Sequence, residues 1–338
     1  FSEPDGKFPY ENFLSNEWNL QKVIPALKST ARPGEVYIGV GPDQNFTYAV
    51  ALKAKMAFVL DIRRQNMLEH LLYKALFELS PTRGDFVSRL FSRKRPAGLD
   101  EKADVAAMFA AFEKLPSDAD LFVQSMAAVK SNFRKHGYQL SNDDMVHIEF
   151  VYQVFMRGGP KMDYQFSSAQ AAMSQPPSYS QLMTGKDSEG NSSSYLASEE
   201  NFQFVREMQR KNLLIPLVGD FAGPKTIRRI GQYLKDRKAN VSAFYASNVE
   251  SYLDEKQTQD FHGNLLSLPS DSTTTVIRLV DSVHSTSLSW FKPTMSFVQT
   301  VSPMTDLVNL SSGGKTPSFH DLLRLIKEPP DAATLFRR

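Results

Sequence analysis

The chain has 338 residues, with 39 Lys and Arg against 37 Asp and Glu, a formal net charge of +2. That balance leaves no electrostatic footprint for a nucleic-acid partner, and no apolar run reaches the ~18 residues that a membrane span needs. Cysteine is absent, which excludes disulfides, zinc–cysteine sites and a thiol nucleophile, while the length suffices for a large core in one decorated domain or two.

Residues 1–34 read as an N-terminal arm. Trp18 to Leu27 has helical spacing, with Ser15 or Asn16 as its cap, and Asn16 and Glu17 are placed to lend polar contacts to whatever follows. The chain opens at Phe1 rather than Met, which fits a processed product as well as a trimmed one and leaves the compartment open.

Residues 35–80 form the first part of a Rossmann-like unit. Glu35-Val36-Tyr37-Ile38 is a hydrophobic strand that runs into Gly39-Val40-Gly41-Pro42-Asp43-Gln44-Asn45. Phe46 to Lys53 follows as a short helix, and Ala57 to Leu60 as a second strand ending at Asp61, Ile62 and Arg63. Asp61 lies 20 residues after Gly41, the separation expected between a Rossmann-type glycine turn and a ribose-binding acid. Glycines let the backbone turn sharply and approach a ligand closely. A plainer reading also fits: the glycines only make the bend, and Asp43 or Asn45 caps the helix. Gln65 to Leu79 continues as an apolar helix ended by Pro81, with His70 as a packed core histidine.

Residues 81–164 read as a helical insertion. Arg89 to Arg95 is a basic run expected to be a solvated loop. Val105 to Phe112 looks like part of a buried helix, and Ser117 and Gly137 bound a helix from Ala119 to Lys135. Ser141 and Asp144 form a capping pair for Met145 to Met156. Residues 165–211 are rich in Ser, Gln and Gly and read as a flexible loop or lid, with Tyr179 and Tyr195 able to shield a substrate.

The second part of the Rossmann-like unit, residues 212–338, resumes with a strand from Asn212 to Val218 that stops at Gly219-Asp220-Phe221. A helix over Lys225 to Arg237, a strand over Asn240 to Tyr245, and then Ser247-Asn248 and a helical Val249 to Leu253 follow. Thr273 to Val280 gives a fifth strand and Met295 to Val301 a further one. This alternation predicts an α/β fold: a Rossmann-like, mainly parallel sheet flanked by helices, with a helical insertion. Gly39, Asp61, Asp220 and Asn248 all follow predicted strands, so they are expected to meet at one cleft. The six histidines show no metal-ligand spacing, and Gly313-Gly314-Lys315-Thr316 lacks the upstream glycine of a phosphate loop and reads as an exposed turn.

The glycine turn with Asp61, and the later Gly219-Asp220, resemble class I S-adenosylmethionine-dependent methyltransferases, in particular a bacterial branch of that superfamily in which the Gly-Val-Gly-Pro-Asp-Gln-Asn-Phe and Asp-Ile-Arg-Arg-Gln-Asn segments recur as a pair. The likeness covers roughly residues 35–80 and 212–280. It implies S-adenosylmethionine as cofactor, with Gly39, Gly41, Pro42, Asp43 and Asn45 at its methionine end and Asp61, Ile62 and Arg63 at its ribose. Gly219, Asp220 and Phe221 would lie at the adenine, and Ser247 and Asn248 near an acceptor that the sequence does not identify. Tyr37 stands where the family has an acid, and Asp43 where it has a third glycine. A carboxylate in the turn repels a pyrophosphate but attracts a sulfonium or ammonium. Tyr245, Asn248 or Glu17 are candidate general bases by location alone. Two alternatives stay open: a methyltransferase-like binding module without catalysis, and a nicotinamide-dependent oxidoreductase in which Arg63 and Arg64 meet a phosphate. Use of S-adenosylmethionine would place the protein in the cytoplasm, and a removed signal peptide would place it outside.

Overall fold

The computed structural model describes residues 1–164, 176–290, 297–314 and 316–328. Six strands form one sheet: β1 Val36–Val40, β2 Met56–Asp61, β3 Leu214–Val218, β4 Val241–Ser247, β5 Thr275–Asp281 and β6 Phe297–Pro303. Their order is β3-β2-β1-β4-β5-β6, with β1 to β5 parallel and β6 antiparallel to β5. The inner strands are buried along nearly their whole length because helices cover both faces. Pro216 is tolerated in β3 because that strand lies at the sheet edge. The protein is thus α/β and Rossmann-like.

The helices are α1 Ile24–Thr30, α2 Gln44–Ala51, α3 Arg64–Leu79, α4 Arg83–Leu90, α5 Val105–Glu113, α6 Ala119–His136, α7 Asn142–Gly158, α8 Tyr179–Thr184, α9 Glu199–Arg210, α10 Thr226–Asp236, α11 Glu255–Leu266, α12 Met304–Ser311 and α13 Phe319–Leu325. The sheet grows from β1 towards β3 through α2 and α3, then restarts on the other side of β1 through α10 and α11. Right-handed crossovers therefore set these two pairs on opposite faces. The reversal makes the boundary between β1 and β4 the topological switch point, where ligands of such sheets bind beyond the carboxyl ends of the strands. No helix among the described residues is long and apolar enough to cross a membrane.

The insertion packs α4, α6 and α7 around α3, and α9 from the segment that follows joins them. A helix enclosed in this way is usually apolar all round. α3 is not: its buried residues include Asn66, Glu69, His70, Tyr73 and Lys74. Beneath it lies an aromatic cluster in which Phe77 stacks on Phe86 at 4.4 Å and Phe46 meets Tyr195 edge-on at 5.2 Å.

Several expectations are corrected. Within residues 176–211 there is no lid: α8 and α9 bury Leu182, Met183, Phe202, Val205 and Met208, and the fully buried Tyr179 and Tyr195 hydrogen-bond each other in the core. Residues 165–175 of that expected lid lie outside the described residues. The basic run is no solvated loop either. It spans the end of α4, and Arg93 then donates to the carbonyls of Phe112 and Leu115 at the end of α5 while Arg95 pairs with Asp85 at 3.0 Å. Asp118, not Ser117, caps α6 by accepting the Leu121 amide. The first helix starts only at Ile24, with Pro25 in its first turn. Ser141 and Asp144 do form the predicted capping box, and Asp144 also takes a two-pronged bond from Arg64 at 2.6 and 2.9 Å.

Candidate functional site

The parallel sheet brings the predicted strand-end residues to one rim. Asp61 lies beside Val218 in the β2–β3 pairing, and the Gly219 amide donates to the Asp61 carbonyl at 2.8 Å. Asp61 and Asp220 are therefore near neighbours. Gly219 lacks a side chain because α10 approaches: a Cβ there would lie 2.7 Å from Thr226.

The Asp61 carboxylate is already engaged. It accepts the Arg63 amide at 2.9 Å and the Arg63 guanidinium at 3.0 and 2.9 Å, and both side chains are buried. Arg63 is held in turn by the carbonyls of Tyr10 and Glu11 and lies 5.7 Å from the Phe8 ring centre. The N-terminal arm supplies these partners by running across the ends of β3 and β2. The Glu3 amide donates to the Val218 carbonyl and the Gly6 amide to that of Ile62, at 2.9 and 2.8 Å. The Glu3 carboxylate accepts the amides of Asp220 and Lys225, both at 3.0 Å, and Asp5 accepts that of Arg64 at 2.6 Å. The first residues of the N-terminal arm thus form a strap lying directly on the rim.

Other predicted residues divide sharply. Asp220 accepts the Ala222 amide at 2.9 Å, which makes it a turn cap. Phe221 does not face the rim but packs into the core against Phe261 and Phe244. Asn248 donates weakly to the Tyr252 hydroxyl at 3.4 Å. Ser247 ends β4 with a φ of +50° and donates to Glu17 at 2.5 Å.

Glu17 occupies the switch point. Its buried carboxylate accepts Tyr245 and Ser247 on one oxygen and Gln299 at 2.7 Å on the other. Burial pushes its carboxyl up, and the Ser247 and Tyr245 bonds offset only part of that. Gln299 also donates to Tyr48 at 2.7 Å. Two of the candidate bases, Tyr245 and Glu17, are therefore bonded to each other.

The turn after β1 is more revealing. Gly39 does not open a space for a ligand. Its missing Cβ would lie 2.0 Å from Asn45 Oδ1 and 2.4 Å from the Tyr37 hydroxyl, which are bonded to each other at 2.8 Å. Asn45 also donates to the carbonyls of Val40, Gly41 and Pro42, so it staples the turn. Gly41, at a φ of +79°, is the residue whose conformation demands glycine. Asp43 precedes α2 but makes no capping bond. It is fully buried, and neither carboxylate oxygen has a hydrogen-bond partner. Burial pushes its carboxyl up to about 7, against the lowering pull of its own amide and the Tyr195 hydroxyl. That hydroxyl comes near enough to act on the charge without completing a bond of good geometry.

Facing this turn is α3. Asn66, Glu69, His70 and Tyr73 recur at helical spacing on one buried stripe. His70 bonds the Gly41 carbonyl through Nε2 at 2.9 Å, tying the helix to the turn. Its Nδ1, both amide atoms of Asn66, Glu69 Oε1 and the Tyr73 hydroxyl have no partner. Burial and then the charge of Asp43 push the Glu69 carboxyl well up, and burial lowers His70 to about 4. Of these residues sequence reasoning singled out only His70, as core. The missed signal was four polar residues at i, i+3, i+4 and i+7 in a helix otherwise apolar enough to be enclosed.

No group of three or more metal-ligating side chains occurs among the described residues. The two clefts that stand out on the surface lie away from the rim: one of about 540 Å³ around Glu78, His136 and Arg206, the other of about 280 Å³ around Asp85 and Arg89. The chain belongs to the family described as a domain of unknown function (DUF7790), whose model matches residues 12–321. No curated protein matches it.

Proposed function

We propose that this member of the family is an S-adenosylmethionine-binding methyltransferase whose acceptor is still to be identified. The observation that carries the reading is the buried, uncompensated carboxylate of Asp43 in the turn after β1, on the same rim as Asp61. A pyrophosphate at that turn would meet a negative charge in a medium where charges act strongly, whereas a sulfonium is attracted. The same carboxylate argues against a nicotinamide cofactor. So does the two-pronged engagement of Arg64 by Asp144, which leaves it committed away from a phosphate.

The donor set fits the cofactor on one condition. Asp43 already lacks a partner, but Asp61 must exchange Arg63 for the two ribose hydroxyls. When bound, S-adenosylmethionine supplies an activated methyl group for in-line displacement. This chain's residues would then hold the nucleoside through Asp61, face the cation with Asp43, and exclude water with residues 1–11 of the arm.

Isothermal titration of the full chain with S-adenosylmethionine and its demethylated product tests the reading. Both are expected to bind, and Asp61→Ala to weaken them about tenfold or more, the loss of a charge-assisted bond. No heat with either ligand would remove the proposal. The Asp61–Arg63 pair and the strap over it favour a second reading, a methyltransferase-like binding module without catalysis. Binding with no methyl loss from the cofactor across a panel of amine, hydroxyl and carboxyl acceptors would select it.

A further inference from the structure

We propose that Asp43, Glu69 and the α3 side chains around them form a buried binding site for a primary ammonium group. The argument is one of donors and acceptors. His70 bonds a carbonyl through Nε2, and a carbonyl only accepts, so Nε2 carries the proton and the neutral ring presents Nδ1 as a bare lone pair. The unpartnered acceptors are then both oxygens of Asp43, Asn66 Oδ1, Glu69 Oε1 and His70 Nδ1, while Asn66 Nδ2 is the one amide donor and the Tyr73 hydroxyl serves either role. A buried polar group left unbonded costs about 1–3 kcal/mol, so a site this rich in acceptors calls for a guest rich in donors.

Charge points the same way. The charge of Asp43 raises the affinity of Glu69 for its proton, against the pull of Arg63, and no ion pair to either acid occurs among the described residues. An ammonium has three N–H donors and a positive charge, which matches a cluster of unpartnered acceptors that includes two acids. A metal ion is the weaker fit, since Asp43, Glu69 and His70 are not grouped closely enough to ligate one together. Burial makes both acids hold a proton more tightly than usual, and an ammonium binding to the ionised form displaces whatever protons they carry. Its affinity therefore rises with pH through about 7, where Asp43 ionises. The site does not require a nucleoside: the ammonium belongs either to the amino-acid end of a cofactor or to a free amine.

The test is titration calorimetry of the full chain with ethylammonium, L-methionine and tetramethylammonium at constant ionic strength, in two buffers of different ionisation heat. Ethylammonium or L-methionine is expected to bind with release of protons. Tetramethylammonium, a cation without N–H groups, is expected to bind at least about tenfold more weakly, the loss of roughly one charge-assisted bond. Asp43→Asn and Glu69→Gln keep the side-chain shapes, so both variants are expected to fold, with melting temperatures not below the parent's, and each to lose about tenfold in amine affinity. Silence with both amines, equal binding of tetramethylammonium, or unchanged affinity in both variants overturns the site. 5′-Methylthioadenosine, a nucleoside thioether without an ammonium, separates this proposal from the previous one. If it binds while the amines do not, the ammonium site is wrong and the adenosyl reading survives. If the amines bind while neither it nor S-adenosylmethionine does, the ammonium site stands and the adenosyl reading falls.

Discussion

Glu250 and the pair Asp43 and Glu69 are equally withdrawn from water, yet only Glu250 meets cations. It lies in the turn after β4, where Arg278 Nε reaches both its oxygens at 3.0 Å and His262 adds a contact at 3.2 Å. Burial alone would push its carboxyl up, but the Arg278 charge and the His262 bond outweigh that and hold it below the ordinary value. Asp43 and Glu69, on the opposite face of the sheet, are pushed up by burial, which the Tyr195 hydroxyl near Asp43 and the Arg63 charge near Glu69 offset only in part. The fold can therefore compensate a buried acid with strand and helix partners. It does so beside β5 and leaves it undone at the β1–α2 turn. An uncompensated acid lowers stability, and the proposed ammonium would supply the missing compensation.

The contrast can be broken by substitution. Arg278→Met strands Glu250 in the core, and the expected loss is about 3–5 kcal/mol in denaturant unfolding. A loss below about 1 kcal/mol would show that the two clusters do not differ in the way described. Asp43→Asn has the opposite sign. At low pH Asp43 is protonated in both states and costs nothing. As pH rises the unfolded chain ionises near 3.8 while the folded chain holds its proton to about 7, so stability falls across that window. The asparagine variant should flatten this fall and, at pH 8, be more stable than the parent by about 2–4 kcal/mol. Parallel pH profiles for the two proteins would refute it. The smallest effect is the control. Lys256 and Asp260 form an exposed i,i+4 pair at 2.8 Å, and Lys256→Ala should shift the denaturant midpoint by no more than repeat measurements differ. A larger cost would mean that contact distance, not burial, governs these pairs.

The N-terminal arm carries a related lesson. Its residues 1–11 bear no strong pattern, yet Glu3, Asp5 and Gly6 close the rim through partners between 56 and 222 positions away. Gly39 was legible as a close approach, but not that Tyr37 and Asn45 would fill it from inside. Composition misled at residues 176–211: Ser, Gln and Gly suggested a mobile segment, but Tyr179, Tyr195 and Phe202 anchor it in the core. In that stretch a few large apolar side chains outweigh many small polar ones, because buried area scales with their size.

What the sequence determined by itself was the set of elements and the class of fold. Strand runs, helical spacing, the turn at Gly41 and the acid at the end of β2 depend on neighbours a few residues apart. What only the tertiary structure decided was which polar groups find partners. Asp61 with Arg63 under the arm, Glu250 with Arg278, and the unpartnered oxygens of Asp43 and Oε1 of Glu69 are outcomes of long-range packing. Hydrogen bonds and desolvation act over a few ångströms in space, and separation along the chain does not report that distance.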